Sequence, residues 1–329
     1  MISVVIATYN GEKYITDQLE SIAAQTVLPD EIVIVDDCSS DTTLKLIIEF
    51  AAQTCIIVKT VVNSHNLGST KSFERAITLS SGDIIFFADQ DDFWVKNKIE
   101  RFMKEFENNS VALVFSDGII ADSNLNDLNL TNWQKIHITS ERAGILQSDD
   151  AFLLLSHKNF VTGAAMAVRR EVALAALPIL EHNWHDEWIT LIAYCLGDIK
   201  AVSEKLFYYR QHDKQQVGVL KKAPKRSIFS FEYIIDHFHQ VKRVGRINQK
   251  VKKYDILLSY VKQNKSTKEK ALTLIESCKS FYSTRSNSFS KPRLLRIMTL
   301  LKLLFKGDYH SWSSRPFEEF FYDLLANKR

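Results

Sequence analysis

Three aspartates stand within four positions directly behind an apolar run in the segment IIFFADQDDFW, residues 84–94. Along an extended chain, Asp89 and Asp91 point to the same face and Gln90 points away. Two carboxylates on one face can bind a hard cation such as Mg²⁺ or Mn²⁺, which prefers oxygen ligands and leaves positions for water and substrate phosphates. A solvated turn after a strand is the simpler alternative, because an isolated Asp-x-Asp pair is a weak signal.

A second pair of acids, Asp36 and Asp37, ends the apolar segment EIVIVDD. Asp41 is suited to cap a helix that is predicted to begin near Thr42. Two further acids are more than a cap requires. They are therefore candidates to accept hydrogen bonds from a ribose or from a pyrimidine N–H group.

The segment HNLGSTKSF places Gly68 after a predicted strand and Lys71 in the first turn of a predicted helix. This arrangement suits the close approach of a nucleotide, with a cation near its base or phosphate. The sequence contains neither the GxxxxGK[ST] phosphate loop nor the GxGxxG dinucleotide fingerprint. ATP and NAD are therefore disfavoured as ligands.

Further candidates stand in the segments WHDEW and YYRQH. His185, Asp186 and Glu187 lie at a predicted helix start, where the helix dipole alone favours acids. A general base that takes a proton from an acceptor hydroxyl is the functional alternative. His212 is either a metal or pyrophosphate ligand or a polar strand end, and Arg210 and Lys214 beside it could neutralise a leaving diphosphate.

Alternating strand and helix patterns supply the elements that must position these residues. We predict strands covered on both faces at residues 2–8, 31–37, 55–62, 83–89 and 111–117, with amphipathic helices between them. Such alternation is typical of βαβ units around a mostly parallel sheet. Because ligands of these sheets bind beyond the carboxyl ends of the strands, the polar loops should converge on one rim. Residues 120–150 form a long polar segment outside this alternation, and a flexible loop is one interpretation of it.

The charge distribution divides the chain. Residues 1–213 carry 17 Lys and Arg against 30 Asp and Glu, whereas residues 214–329 carry 25 against 9. We therefore predict two regions with different roles, an acidic one at residues 1–220 and a basic helical one at residues 221–329. A cation would relieve the repulsion in the acidic part, and the basic part should seek phosphate or an anionic surface.

The cysteine pattern and the absence of targeting signals indicate a cytoplasmic location. Cys38, Cys55, Cys195 and Cys278 form no CxxC pair, so neither a zinc site nor a disulfide framework is predicted. The first residues lack the basic region of a signal peptide, and no apolar run approaches the ~18 residues of a transmembrane helix.

The segment KPRLLRIMTLLKLLFK, residues 291–306, holds five basic residues and no acid. Its apolar positions fall on one helical side: 294, 297, 298, 301, 304 and 305. Such a stripe packs against the same chain or a homodimer partner, or it docks on anionic lipid at the inner face of the cell membrane. Nucleic acid is disfavoured as a partner, because aromatic residues are not interleaved with the basic ones.

Seven segments, taken in order, resemble glycosyltransferase family 2, the inverting enzymes of GT-A fold. They are SVVIATYNGEKYITDQLESIAAQT, EIVIVDDCSSDTT, NLGSTKSF, ADQDDFW, TGAAMAVRR, HDEW and YRQH. The likeness covers about residues 1–220, which it implies are the catalytic domain. It is greatest to bacterial rhamnosyltransferase-like members that build O-antigen or capsular polysaccharide. It implies an α/β fold with a Rossmann-like, mostly parallel sheet flanked by helices, and a helical C-terminal region.

The resemblance also implies roles for individual residues. On the donor nucleotide side it places Thr8, Tyr9, Asp36, Asp37, Gly68, Lys71, Asp89 and Gln90. It assigns Mn²⁺ or Mg²⁺ to Asp89, Asp91 and His212, and catalytic base function to Asp186. The supporting or acceptor side comprises Asp92, Trp94, Gly163, Ala164, His185, Glu187 and Arg210. Many relatives have Glu-Asp where this chain has His-Asp-Glu, so Glu187 competes for the role of base.

The implied reaction is the metal-dependent, inverting transfer of a sugar from dTDP-rhamnose or a UDP-sugar to a hydroxyl of a lipid-linked bacterial polysaccharide. A sugar-phosphate nucleotidyltransferase is one alternative, although its Gly-rich loop is replaced here by ATYNGEKY, which has a single glycine. A catalytically inactive, membrane-associated scaffold is the other alternative, and such a protein would bind no nucleotide with Mn²⁺.

Overall fold

The computed structural model describes residues 1–180, 183–213, 215, 240–263 and 267–326, so Lys214 lies outside the described residues. The described residues of Met1–Ser148 and Asn159–Leu220 form one compact unit, and those of Asp149–Lys158 and Lys221–Arg329 form a second. Residues 149–158 thus group with the helical unit, although they precede residue 220. A functional division into a catalytic domain and a basic region stays a prediction.

A mixed sheet forms the centre of the first unit. Its strands are β1 (Ile2–Thr8), β2 (Glu31–Asp36), β3 (Ile57–Val62), β4 (Ile84–Asp89), β5 (Phe93–Trp94), β6 (Val111–Ala121), β7 (Asp127–Thr131), β8 (Met166–Arg169) and β9 (Asp198–Arg210). Within the described residues the strand order is β3-β2-β1-β4-β8-β6-β9-β5, and β7 pairs with β6. Strands β1 to β4 pair in parallel and β8 pairs antiparallel to both of its neighbours. The predicted α/β fold with a mostly parallel sheet is confirmed.

Helices cover the sheet because their apolar residues recur at helical spacing. The first nine helices are α1 (Ile15–Ala23), α2 (Thr43–Gln53), α3 (Ser69–Leu79), α4 (Lys98–Phe106), α5 (Asn132–Ile136), α6 (Ser140–Leu146), α7 (Ala151–Leu155), α8 (Arg170–Ala175) and α9 (His185–Leu196). Of these, α7 belongs to the second unit. In α1 the side chains of Ile15, Leu19 and Ile22, which recur at helical spacing, are all buried in one core with apolar residues of β1 and β2.

Two local expectations were wrong. Strand β4 ends at Asp89 and a turn follows at residues 90–91, so the alternation of an extended chain does not reach Asp91. The polar segment at residues 120–150 is not an irregular loop, because β6 continues to Ala121 and β7, α5 and α6 follow. The buried Asp117 carboxylate stabilises this segment by accepting hydrogen bonds from the N–H groups of Gly118 and Trp133.

Five helices make up most of the described second unit. They are α10 (Gln240–Gln263), α11 (Glu269–Ser288), α12 (Arg293–Phe305), α13 (Asp308–Trp312) and α14 (Pro316–Leu325). Helix α11 ends at Ser288, and Pro292 directly precedes Arg293, the first residue of α12. Proline is favoured at the start of a helix.

A buried ion cluster holds these helices together. The Asp323 carboxylate accepts hydrogen bonds from Arg243, Arg285 and the Tyr309 hydroxyl. Burial opposes ionisation, but Arg285 and Arg243 hold the pKa of Asp323 below its usual range. The Asp323 carboxylate of α14 therefore links α10, α11 and α13, and each of these helices supplies one of its hydrogen-bond donors.

Helix α12 has two different apolar sides. Leu300 and Leu303 are buried, whereas Leu294, Met298 and Phe305 are 70%, 59% and 84% exposed. Among the helices that the structure describes, none is long and apolar enough to cross a lipid bilayer.

Candidate active site

The loops that follow β1, β2 and β4 meet at one edge of the sheet. Parallel pairing places Thr8 beside Asp36, and the Thr8 hydroxyl donates to Asp36 Oδ2 at 2.8 Å. The Tyr9 N–H donates to Gln90 Oε1 at 2.8 Å, and Gln90 Nε2 donates back to the Tyr9 carbonyl at 3.1 Å. The predicted convergence of polar loops is therefore present, and Gln90 joins two of them.

The carboxylates of Asp36 and Asp37 organise the loops around them. Asp36 accepts hydrogen bonds from the Ser39 N–H and hydroxyl at 2.8 and 2.6 Å. Asp37 accepts from Asn63 Nδ2 and from the N–H groups of Leu67 and Gly68, all within 2.8 Å. Because each carboxylate has about four acceptor positions, contact with a nucleoside would use the remaining ones. That contact stays a prediction.

The residues around Lys71 form a tight strand-to-helix connection. Gly68 has a φ of 84°, a backbone conformation that glycine adopts without strain, and it directly precedes α3. Lys71 lies in the first turn of α3, as predicted, and its ammonium group pairs with Glu74 at 2.6 Å. Nucleotide binding by Lys71 would require this exposed ion pair to open, at a cost of about 1 kcal/mol or less.

The turn after β4 gathers the predicted metal ligands without closing a metal site. His212 Nε2 lies 2.8 Å from Asp91 Oδ2. Asp92 is buried, and its Oδ2 has no hydrogen-bond partner within the described residues. Among all the residues that the structure describes, no three His, Cys, Asp or Glu side chains are close enough to hold a metal ion. Carboxylate oxygens and one imidazole nitrogen are nevertheless donors that fit Mn²⁺ or Mg²⁺.

The acids of this turn disfavour each other's ionisation. Burial raises the pKa of Asp89, and the charges of Asp91 and Asp186 raise it further. Burial also raises the pKa of Asp92 well above its usual range, again with Asp91 and Asp89 acting in the same direction. Nearby like charges in a poorly hydrated site have this effect. A cation placed among these carboxylates would reverse it.

Arg210 is turned into the protein rather than toward the rim. Its guanidinium donates to the carbonyl oxygens of Asp91 and Ser123, each at 2.8 Å, and to Asp17 Oδ2 at 2.7 Å. The same group lies 4.5 Å from the centroid of the Tyr14 ring. These contacts make Arg210 a support of the acidic turn, and they give no basis for the expectation that it neutralises a leaving diphosphate.

The candidate base is held by backbone amides. Asp186, in the first turn of α9, accepts hydrogen bonds from the Gly163 N–H at 3.0 Å and from the Glu187 N–H at 2.7 Å. Burial raises the pKa of Asp186 to about 7, although these amides and the Asn159 side chain oppose the rise. A carboxylate with a pKa near the working pH is suited to general base catalysis.

His185 packs tightly behind Asp186. Its ring centroid lies 4.0 Å from that of Phe73 and 5.7 Å from that of Phe87. Burial lowers the pKa of His185 to about 3, so the ring is neutral at physiological pH. A Cβ atom at Gly163 would lie only 2.6 Å from His185 Nε2. The turn and the imidazole can therefore be this close only because residue 163 is glycine.

Sequence reasoning missed three residues that contribute to the site. Asn63 binds Asp37, Asn159 binds Asp186, and Lys98 is a fully buried lysine whose Nζ donates to the Ala164 carbonyl at 2.6 Å. Lys98 is the first residue of α4, four residues after Trp94 of β5, and the sequence carries no signal that separates it from an exposed lysine. Trp94 itself is buried, so it supports the site from inside and cannot reach an acceptor.

Residues 3–175 match the family model described as glycosyl transferase family 2, which is more than half of the chain. The chain therefore belongs to glycosyl transferase family 2. The crystal structure of residues 1–349 of TarS from Staphylococcus aureus in complex with UDP-GlcNAc is similar to this fold, with a TM-score of 0.56 and 17% identity over 98% of this chain and 89% of that chain. At that identity, the likeness shows the GT-A fold alone.

Two curated relatives carry specific names. The dTDP-rhamnosyl transferase RfbG of Shigella flexneri is 38% identical over 35% of this chain and 41% of its own length. The UDP-Glc:alpha-D-GlcNAc-diphosphoundecaprenol beta-1,3-glucosyltransferase WfaP of Escherichia coli is 26% identical over 72% of this chain and 93% of its own length. Against other curated relatives, from Nostoc and Mycobacterium bovis, the chain spans only 65% and 58% of their length.

We predict that Gly163→Ala lowers the rate of sugar transfer by at least about tenfold, because the added Cβ would displace His185 and with it the Asp186 carboxylate. Steady-state kinetics and a thermal melt test this expectation. Gly144→Ala is the matched control, since Gly144 lies in α6 with open space around its Cβ position. That change should keep full activity and leave stability equal or slightly higher. Equal activity of the two variants would contradict the tight packing at Gly163.

Proposed function

We propose that this protein is an inverting glycosyltransferase that moves a sugar from a nucleoside diphosphate to a hydroxyl group. The observation that carries the proposal is the proximity of the acidic turn after β4 to Asp186. The ring centroid of Phe87, two residues before Asp89 in β4, lies 5.7 Å from that of His185, the neighbour of Asp186. The Asp186 charge also contributes to the raised pKa of Asp89. A phosphate-binding group and a general base at one rim are what a single displacement at a sugar carbon requires.

A divalent cation belongs to the donor side of this proposal. Asp89, Asp91 and His212 would hold Mn²⁺ or Mg²⁺, which when bound supplies positive charge against the diphosphate of the donor. The pairing of His212 with Asp91 at 2.8 Å keeps both side chains at the rim. Arg210 supports the same turn from inside through the Asp91 carbonyl. We propose nucleoside contacts for Thr8, Tyr9, Asp36, Asp37, Gly68, Lys71 and Gln90.

Asp186 is the proposed catalytic base. It takes the proton from the acceptor hydroxyl while the hydroxyl oxygen attacks the anomeric carbon. The bond from that carbon to the diphosphate oxygen breaks with its electron pair, and the configuration inverts without a covalent enzyme intermediate. The N–H groups of Gly163 and Glu187 keep the carboxylate oriented. Asp186 is favoured over Glu187 because burial raises the pKa of Asp186 to about 7, which is near the pH at which a general base has to work.

The proposed donor is dTDP-rhamnose or a UDP-sugar, and the proposed acceptor is a lipid-linked saccharide of a bacterial surface polysaccharide such as O-antigen or capsule. The name of the Shigella relative supports a dTDP-rhamnose donor. The name of the Escherichia coli relative supports a UDP-sugar and a diphosphoundecaprenol-linked acceptor. We propose that the enzyme is cytoplasmic and works next to the membrane that holds such an acceptor.

We further propose that α12 docks on anionic lipid. Leu294, Met298 and Phe305 lie on the side of α12 opposite the buried Leu300 and Leu303. Exposed basic residues flank this stripe: Lys291, Arg293, Lys302 and Lys306. An apolar stripe bordered by cations suits an anionic membrane surface, where each basic residue contributes about 1 kcal/mol. A homodimer through the same stripe is the alternative.

Nucleotide binding tests the donor site. We predict that dTDP or UDP raises the melting temperature in the presence of Mn²⁺, because a ligand at a hundredfold excess over its dissociation constant stabilises the folded state by about 2.7 kcal/mol. Asp91→Ala should abolish the metal-dependent part of the shift, and Asp127→Ala, an exposed acid of the same unit, should not. A thermal-shift panel of UDP, dTDP, GDP and CDP with and without Mn²⁺ makes the measurement.

Two results of that panel would contradict the proposal. A shift that persists unchanged in Asp91→Ala would mean that the metal binds elsewhere. The absence of a shift with every nucleotide would favour the inactive scaffold.

Lipid binding tests α12. We predict that the protein sediments with phosphatidylglycerol-containing vesicles at low salt, and that added salt weakens binding through charge screening. Met298→Glu with Phe305→Glu should reduce binding by at least about tenfold, whereas Ile48→Glu, at an apolar residue of α2 that is as exposed as Met298, should not. Binding by the double variant at the level of the unaltered protein would contradict lipid docking. A dimer that only the double variant loses would favour self-association.

A further inference from the structure

The buried lysine of the first unit, Lys98, has no task in the reaction proposed above. It is the first residue of α4, and its side chain is 0% exposed. An ammonium group in such a place loses its hydration, so it is tolerated only where other groups compensate for that loss. The groups that compensate should therefore show what Lys98 does.

The contacts of Lys98 come from both sides of the site. Its Nζ donates to the Ala164 carbonyl at 2.6 Å. It also lies 4.0 Å from the ring centroid of Trp94 and 5.1 Å from that of Phe207, where cation–π attraction contributes. Burial lowers the pKa of Lys98 to about 7, and the nearby carboxyl groups of Asp92 and Asp89 oppose this fall. The Lys98 amine thus lies between Trp94, which follows Asp92 by two residues, and the turn that contains Ala164.

The Ala164 turn is also the turn that holds the base. Ala164 is the middle residue of the short 3₁₀ helix Gly163–Ala165, and the N–H of its neighbour Gly163 donates to Asp186 Oδ2 at 3.0 Å. A carbonyl fixed by Lys98 and an amide that fixes Asp186 therefore belong to adjacent residues. A shift of this turn would change both hydrogen bonds together.

We propose that Lys98 is a positioning residue, which ties the acidic donor side of the site to the general base by fixing the Gly163–Ala165 turn through the Ala164 carbonyl. The kinetic consequence of this role rests on the proposed function, and the structural consequence does not. Lys98 approaches the site from inside the protein, so its effect should fall on the transfer step more than on nucleotide binding.

Kinetics give the first test. Lys98→Met keeps the length and apolar stem of the side chain but removes the donor, so the Ala164 carbonyl loses its partner. We expect kcat to fall by about tenfold or more while KM for the donor changes by less than about threefold. Lys98→Arg, which keeps both a charge and a donor, should recover part of kcat. Lys104→Met, an exposed lysine on the same helix, is the matched control and should behave like the unaltered protein.

Hydrogen exchange gives a second test that needs no activity. In the full-length protein with no ligand added, the Gly163 amide should exchange about fivefold to tenfold faster in Lys98→Met than in the unaltered protein, because its hydrogen bond to Asp186 is weakened. Exchange in β2 serves as the internal reference for global stability. Lys104→Met should leave both segments unchanged. If Lys98→Met does not fold, Lys98→Gln replaces it with the same expected direction.

Unchanged exchange at Gly163 together with an unchanged kcat in a folded Lys98→Met protein would overturn the positioning role. A fall in donor affinity that equals the fall in kcat/KM, with kcat intact, would also overturn it. If the unaltered protein transfers no sugar from any donor, the proposed function fails, and the exchange experiment still decides the role of Lys98.

Discussion

The crowding of negative charge at the end of β4 is the constraint on which the rest of the site depends. Asp89, Asp91 and Asp92 occur within four residues, and the charge of Asp186 reaches Asp89. Burial and mutual repulsion raise the pKa values of Asp89 and Asp92, so the folded chain without a cation does not favour full ionisation there. A fold that keeps these three carboxylates together needs other groups to hold them in place. The simplest explanation for the cluster is that it binds a cation together with a diphosphate.

Two basic residues, Lys98 and Arg210, support the acidic turn from inside the protein, and His212 contacts it at the rim. Lys98 lies among aromatic rings beneath the acidic turn, and Arg210 holds the turn by the Asp91 carbonyl. His212 pairs with the Asp91 carboxylate itself. None of the three closes a metal site among the described residues. The arrangement instead keeps the carboxylates in place for a ligand that brings its own charge.

The sequence pattern predicted most of the first unit because its strands are short, apolar and followed by polar loops. The strands β1 to β4, the start of α9 at His185 and the meeting of the loops all follow from that pattern. The contacts made by individual side chains did not follow. Lys98 at a helix start looks like an ordinary exposed lysine, and Arg210 beside His212 looks like a phosphate ligand. Only the tertiary packing of α4 and β9 turns both side chains inward.

The rate of the transfer step as a function of pH tests the central claim most directly. Burial raises the pKa of Asp186 to about 7, so a base at this position is protonated and inactive below that pH. Burial is the largest cause and remains when a cation is bound. We therefore predict a single-turnover rate that rises about tenfold per pH unit on the acidic side and levels off near neutrality, and an Asp186→Asn variant that is at least about a hundredfold slower throughout. A rate that is flat from about pH 5 to 8, or an Asp186→Asn variant of nearly full activity, would contradict the account.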